Sequence, residues 1–207
     1  NVAISAATGN GTVQDTAVAN DIDTTQGIVI TLSGDDAVLT LVSGAHLRAT
    51  VAGFNIQIEA DEMALDGTMS TASGGSVSLR PRETGEAIHL GGNPGLADTL
   101  ELSDAELSGI TTSFLGISGA GASPITIAGD VSPASATSLT LATRSTVAQS
   151  GTGAVTHQSL RVVAGGQVSL ATNANEVGSL QISTTTGDVA FRDATGFTVI
   201  DLGSGVG

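Results

Sequence analysis

The residues of this chain best suited to chemistry are its carboxylates, which fall into four clusters. They are Asp21 with Asp23, Asp35 with Asp36, Glu59 with Asp61 and Glu62, and Asp98 with Glu101, Asp104 and Glu106. Carboxylates that project from one face of a β-helix can serve as acid and base on a polysaccharide, or bind Ca²⁺ through their oxygens. Such sites also use cationic side chains and aromatic platforms, and the chain has no Lys, Trp or Tyr. A solvated acidic face is therefore expected, with a carbohydrate-active β-helix enzyme (a polysaccharide lyase or hydrolase) as the alternative.

The three histidines do not form a metal-binding or catalytic motif. His46, His89 and His157 are more than 40 residues apart, so no pair has the short spacing of metal ligands. His46 and His89 fall on outward or turn positions, which indicates surface histidines. The Gly-x-Ser-x-Gly elbow, the calcium-roll repeat and the EF-hand loop are all missing from the sequence. The sequence thus predicts no catalytic, cofactor-binding or metal-ligating residue, and at most loosely bound Ca²⁺ on an acidic surface.

Composition narrows the classes of protein to which the chain can belong. The net charge is −14, and a surface of that charge repels phosphate and anionic lipid. Nucleic acid is therefore not an expected partner, nor is membrane insertion of this segment. The absence of Cys excludes disulfides and thiolate sites. With only four Phe as aromatics, the core should be narrow and built from rows of aliphatic side chains.

The elements that must carry these residues are short strands with a fixed repeat. Apolar and polar residues alternate along most of the chain, which is typical of half-buried β-strands. Three strands with the same spelling start 21 and then 20 residues apart: Ser138-Leu139-Thr140-Leu141, Ser159-Leu160-Arg161-Val162 and Ser179-Leu180-Gln181-Ile182. Inward residues are also expected at Leu47, Ala49 and Val51, at Phe54, Ile56 and Ile58, and at Phe197 and Val199. A fixed period with the strand at one phase is the signature of a solenoid.

An antiparallel sandwich and a parallel β-helix both contain many short strands. The spacing of about 20 residues favours the helix over hairpins, and so does the rarity of the Asn-Gly and Asp-Gly hairpin signature, found only at Asn10-Gly11 and Asp66-Gly67. One coil would contribute Leu160 with Val162, then Val168 with Leu170, then Val177. We expect an all-β parallel β-helix of about nine or ten coils, roughly 45 Å long. Residues 1–207 form a single β-helix segment, with residues 1–27 less regular.

An insertion interrupts the repeat between residues 91 and 109. Its first part, Gly91-Gly92-Asn93-Pro94-Gly95, should be an exposed loop. Its second part, Ser103-Asp104-Ala105-Glu106, spells a capping box and predicts a short helical turn over residues 103–109. From Ser76 to Ile127 the coil spacing stretches to 23–25 residues. The insertion should protrude, and it is where we expect any ligand of this segment to bind.

Residues 76–202 resemble modules of a known group of bacterial proteins. The similarity lies in Val77-Ser78-Leu79-Arg80-Pro81, Ala87-Ile88-His89-Leu90-Gly91-Gly92 and the strands through Ile127, and then in Gly165-Gly166-Gln167-Val168-Ser169-Leu170. These stretches are similar to the coils of filamentous-haemagglutinin-like and β-strand-repeat surface adhesins of Gram-negative bacteria. The resemblance implies a right-handed parallel β-helix and export to the cell surface. It supplies no catalytic residues.

The expected function is therefore structural or adhesive and not enzymatic. We expect a stalk, adhesin or filament subunit within a larger secreted protein, placed outside the cell. Its partners would be a host or neighbouring-cell surface, carbohydrate, or other copies of itself through end-to-end or lateral assembly. A groove in which two or more acidic residues converge beside Arg would instead favour the enzyme.

Overall fold

The computed structural model describes residues 2–6, 11–13, 21–33, 37–92, 96 and 98–200. It is an all-β parallel solenoid of about eight turns with one short helix. The first face of the solenoid is one parallel sheet. Its strands are β1 (Val2–Ala6), β4 (Ile28–Leu32), β7 (Ile56–Glu59), β10 (Ser76–Arg80), β13 (Ile110–Ser118), β15 (Ala136–Thr143), β17 (Thr156–Ala164), the end of β18 (Val168–Thr184) and β20 (Thr198–Val199).

Two further sets of strands complete the coils. The second face consists of β2 (Gly11–Val13), β5 (Val38–Leu41), β8 (Glu62–Leu65), β11 (Ala87–Leu90), β12 (Thr99–Leu102), β14 (Ile125–Ile127), β16 (Val147–Gln149), the start of β18 and β19 (Val189–Asp193). The third face consists of β3 (Asp21–Thr24), β6 (His46–Ala49), β9 (Thr68–Thr71) and the start of β13. The parallel β-helix predicted from the repeat is confirmed.

The repeated Ser-Leu strands stack in register as predicted. Leu139 pairs with Leu160, and Leu160 pairs with Leu180 on the next coil. All three side chains point into a core of stacked aliphatic rows, and none is more than 5% exposed. A one-residue slip would turn such a row to solvent, so the buried pattern fixes the register.

The coils are longer and fewer than expected. Ile28 pairs with Ile56, 28 residues on, and Val77 pairs with Leu115, 38 residues on. The predicted spacing of 23–25 residues across the insertion is therefore wrong, and the described residues form about eight turns where nine or ten coils were predicted for the chain. The upper coils keep the short period, whereas the insertion adds residues without adding a turn.

The insertion is built into the solenoid and does not simply protrude from it. β11 and β12 both lie on the second face, where Ile88 pairs with Leu100 in parallel, and β12 contacts β8 of the coil below. Helix α1 (Asp104–Ser108) follows with Ser103 as N-cap, and its capping box is complete as predicted. Leu107 of this helix is fully buried. Residues 93–95 of the expected loop, and residue 97, lie outside the described residues.

Four predicted inward residues are exposed instead. Val51 and Phe54 are 42% and 37% exposed, because β6 ends at Ala49 and the chain turns through Gly53, whose φ is 79°. Phe197 and Val199 are 39% and 73% exposed. Val199 pairs with Leu180 below it, but no described coil covers it from above. The alternating pattern identifies the strand phase and cannot show which strands have a neighbouring coil on both sides.

Candidate functional site

The carboxylates of the Glu59 cluster do not converge. Glu59 points outward from β7 and accepts a hydrogen bond from Arg80 Nη2 at 2.7 Å. Asp61 is only 3% exposed, and its Oδ1 accepts the backbone N–H groups of Arg82 and Glu83 at 3.1 and 3.0 Å. Glu62 is exposed on the second face. The corner between the two faces thus separates the three side chains that neighbour one another in sequence.

Two carboxylates do lie beside one arginine, at the same corner. Arg82 Nε is 3.7 Å from Asp61 Oδ2, and Arg82 Nη2 is 3.4 Å from Glu83 Oε1. Asp61 is held by the backbone N–H groups of the turn above it, which is the usual role of a buried, hydrogen-bonded carboxylate. This arrangement stabilises the stacking of two coils, and neither Asp61 nor Arg82 lines a described groove.

The carboxylates of the insertion also bind backbone groups. Glu106 Oε2 accepts the Ser103 N–H at 2.8 Å, and its Oε1 accepts the Leu65 N–H of β8 at 2.9 Å. Asp104 accepts the Ser132 hydroxyl on the coil above, with Oδ2 at 2.9 Å. The helix therefore connects the coil below it with the coil above it.

The remaining acidic clusters offer no convergent site. Asp23 pairs with Arg48 of the neighbouring strand at 3.7 Å, with both side chains partly exposed. Asp35, Asp36 and the side chain of Asp21 lie outside the described residues. Within the described part of the chain, no group of three or more His, Asp or Glu residues could hold a metal ion. No helix in that part is long and apolar enough to cross a membrane.

The histidines differ in their surroundings. His46 and His89 lie on outward positions of β6 and β11 and are partly exposed, as the sequence predicted. His46 Nδ1 is 2.5 Å from the Thr68 hydroxyl on the next strand. His157 is 6% exposed and was missed as a core residue, although it continues the inward phase of Val155.

Both ring nitrogens of His157 bind the backbone. Nε2 lies 3.1 Å from the Ala136 carbonyl oxygen, and Nδ1 lies 2.8 Å from the Ser159 carbonyl oxygen and 3.1 Å from the Ser159 nitrogen. With a proton on Nε2, the ring donates to the Ala136 carbonyl and Nδ1 accepts from the Ser159 N–H, whereas a proton on Nδ1 would be donated to the Ser159 carbonyl. The ring thus lies between the backbone of its own strand and the Ala136 carbonyl of the neighbouring coil, and His157 connects the two coils.

A cavity of about 420 Å³, lined in part by His157, lies on the edge between the third and first faces. It spans four successive coils, and its polar lining includes Ser132, Thr156, Gln158, Glu176 and Thr195. Glu176 is the one carboxylate among the described lining residues, and none of those residues is an arginine. The cavity therefore lacks the pair of carboxylates that glycoside hydrolysis requires.

Polar side chains hold the corner beside this cavity. Asn175 is fully buried and makes four hydrogen bonds of 2.9 Å, three to neighbouring coils and one to the Leu170 carbonyl of its own strand. Asp193, which pairs with Asn175 on the next coil, accepts the N–H groups of Val177, Thr195 and Gly196. Desolvation raises the pKa of Asp193, but these hydrogen bonds together outweigh it and hold the pKa below the ordinary aspartate value.

The outer surface of the first face differs in character from the rest of the molecule. We call it the outer first face and define it by three outward rows. The first crosses β10 to β18 and the other two cross β4 to β18: Ser76–Phe114–Ser138–Ser159–Ser179, Val29–Gln57–Ser78–Gly116–Thr140–Arg161–Gln181 and Thr31–Glu59–Arg80–Ser118–Ala142–Val163–Ser183. Two shallow grooves of about 230 and 270 Å³ lie on it, below and above β13. Only one residue of these rows, Glu59, is acidic.

Comparison with known proteins gives no relative: no family model, no curated protein and no solved structure matches this chain. Functional inference therefore rests on the solenoid, on the placement of its side chains and on the sequence resemblance described above.

Proposed function

We propose that this chain is a non-enzymatic structural or adhesive segment of a secreted bacterial cell-surface protein, serving as a stalk, adhesin or filament subunit. The observation that carries the proposal is the use made of its carboxylates. Asp61, Asp104, Glu106 and Asp193 each accept backbone N–H groups from other parts of the coil stack. In a hydrolase such carboxylates would contact the substrate, whereas here they connect one coil to the next.

The shape of the molecule supports the same proposal. About eight turns spaced about 4.8 Å apart form a rod roughly 40 Å long, whose parallel ladders satisfy the backbone in every direction except at the ends. A rod of this kind would hold the protein segments attached to its two ends at a fixed distance from each other. The resemblance of residues 76–202 to filamentous-haemagglutinin-like and β-strand-repeat adhesins points to the same role at the surface of a Gram-negative bacterium.

Location and catalysis can be tested separately. Antibodies raised against the folded chain should label intact cells of the source organism, and protease added outside should remove the label. Label that appears only after the cells are permeabilised would contradict a surface role.

The enzyme alternative predicts turnover of a polysaccharide. Neutral and uronate-containing polysaccharides incubated with the chain should yield no new reducing ends and no unsaturated products. Glu59→Gln and Glu176→Gln variants serve as controls, because these are the carboxylates that line the described grooves. Product formation that either variant abolishes would overturn the proposal in favour of a carbohydrate-active enzyme.

A further inference from the structure

The outer first face is nearly free of net charge on a strongly acidic chain. Its three rows contain Glu59, Arg80 and Arg161 as charged residues, a net charge of +1, whereas the whole chain carries −14. Glu59 and Arg80 already pair with each other at 2.7 Å. Arg161 is exposed and forms no ion pair with any described residue. Elsewhere the acidic surface opposes the approach of a second copy, and on this face it does not.

The middle of this face combines an exposed aromatic ring with a flat strand. Phe114 on β13 is 54% exposed, although it lies between the polar residues Ser76 and Ser138 of its row. Two residues further along the same strand, Gly116 presents no side chain. A Cβ atom added at Gly116 would find its nearest neighbour at 3.9 Å, an ordinary van der Waals contact, so nothing crowds the strand at this position.

We infer that the outer first face is a self-association surface, through which two copies of this chain pack face to face with their rods antiparallel. The inference rests on the proposed function, since it names a second copy as the lateral partner of the rod. A two-fold axis that runs along β13 would place Phe114 against Phe114 of the second copy. Aromatic pairs of this kind stabilise an interface beyond the area that they bury.

The positions of the charges select the antiparallel arrangement. Arg161 lies on β17, two strands above β13, and Glu59 lies on β7, two strands below it. The two-fold along β13 therefore brings Arg161 of one copy over Gln57 and Glu59 of the other. If the rods were parallel, a two-fold along the solenoid axis would place Arg161 opposite Arg161 instead, which is repulsive.

The size of the face predicts a weak complex. Seven strands about 4.8 Å apart, with five residues of about 3.3 Å each, cover roughly 30 by 16 Å, or on the order of 1,000 Å² for two copies. This area is close to the lower limit of specific interfaces, about 1,000–1,200 Å². We therefore expect a dimer that forms at high micromolar concentration and dissociates on dilution.

A charge exchange tests the pairing directly. Arg161→Glu and Glu59→Arg should each raise the dimer dissociation constant at least about tenfold in sedimentation equilibrium, and the double variant should restore it to within about threefold. Arg144→Glu makes the same charge change at an exposed turn off this face and should leave the constant unchanged. Circular dichroism of each variant shows whether the fold is retained.

The aromatic contact has its own matched pair of variants. Phe114→Ser should weaken the dimer at least about tenfold, as expected for a central aromatic residue of an interface. Phe54→Ser removes another exposed phenylalanine, 37% exposed on a turn, and should have no effect.

Cross-linking reports the orientation, because the chain contains no cysteine of its own. Val29 and Gln181 lie in the same row on β4 and β18, three strands below and three strands above β13. In a mixture of Val29→Cys and Gln181→Cys chains, a short bismaleimide should join one variant to the other. Each variant alone should remain uncross-linked.

Three results would overturn the inference. They are a monomer at all concentrations up to about 1 mM, a dimer that neither Arg161→Glu nor Phe114→Ser weakens, and cross-links within a single variant. A chain that remains monomeric but is found on the cell surface without catalytic activity would remove this inference alone and leave the proposed function standing.

Discussion

Loss of the buried amide of Asn175 should destabilise the upper coils more than any other single polar change. Its Oδ1 accepts hydrogen bonds from Gln149 Nε2 and the Val155 N–H, and its Nδ2 donates to the carbonyls of Leu170 and Arg192, all at 2.9 Å. Asn175→Ala leaves these four groups without their partner in a site that is 0% exposed. A buried polar group left unsatisfied costs about 1–3 kcal/mol. Water that enters the vacated space can satisfy some of them, so we expect a total loss of about 3–5 kcal/mol.

The measurement combines global and local unfolding. Urea denaturation followed by circular dichroism gives the total stability, which is about 5–15 kcal/mol for a typical domain. Because each coil of a solenoid contacts only its neighbours, hydrogen exchange should show the loss most strongly at the Val155 amide and the adjoining coils.

Asn173 offers a matched control two residues away on the same strand. It is partly exposed, and its Nδ2 donates to the carbonyls of Gly151 and Gly153 at 3.0 Å. Water can replace these bonds, so Asn173→Ala should cost only about 1 kcal/mol. If Asn175→Ala costs no more than Asn173→Ala, then the buried amide does not hold the corner and the reasoning fails.

Three further predictions follow from the same coil contacts. The pKa of Asp193 is lower in the folded chain than in the unfolded chain. Its contribution to stability is therefore complete above the pKa of the unfolded state and is lost as the pH falls below about 4. Urea midpoints should show this pH dependence, and Asp193→Asn should reduce it. Glu106→Ala breaks the capping box and the bond to β8, and should lower the free energy of unfolding by about 2 kcal/mol, whereas Glu62→Ala on the exposed surface should change it by less than about 0.5 kcal/mol. Gly165→Ala would place a Cβ 2.1 Å from a carbonyl oxygen of the neighbouring coil and should cost about 1–3 kcal/mol in thermal or urea unfolding, whereas Gly116→Ala, with its nearest neighbour at 3.9 Å, should be neutral.

The stacking of the upper coils was predictable because one physical constraint sets it. Leu139, Leu160 and Leu180 must all be buried, and period-two alternation leaves one register that buries them together. The capping box at Ser103 could also be predicted, because its two hydrogen bonds join residues that are three apart in sequence.

The route of the insertion was not predictable in the same way. Leu100 and Leu102 alternate like any other inward pair, and nothing local shows that β12 would lie beside β11 on the same face. The partner of a strand depends on contacts between residues far apart in sequence, and the spacing of apolar residues carries no information on that choice. The same argument applies to His157, whose acceptor Ala136 lies one coil away.

The roles of the carboxylates could not be predicted from the sequence for a related reason. In sequence, Glu59, Asp61 and Glu62 form a cluster that invites a catalytic or calcium-binding interpretation. In the fold, a corner separates them, and the groups that Asp61 binds are backbone N–H groups of the next coil. Every residue except proline has a backbone N–H, so composition and spacing cannot reveal which carboxylates will accept hydrogen bonds from such groups.

The helix of the insertion shows how carboxylates can connect the coils of a solenoid. Each coil is held mainly by its two neighbours, and a break between any pair of coils divides the stack. Glu106 binds Leu65 on the coil below, while Asp104 binds Ser132 on the coil above. The buried Leu107 anchors the short helix between them. Separating the coil below from the helix would break the bond between Glu106 and Leu65, and separating the coil above from it would break the bond between Asp104 and Ser132. The insertion therefore links the coil below it to the coil above it through side-chain contacts that supplement the strand pairing.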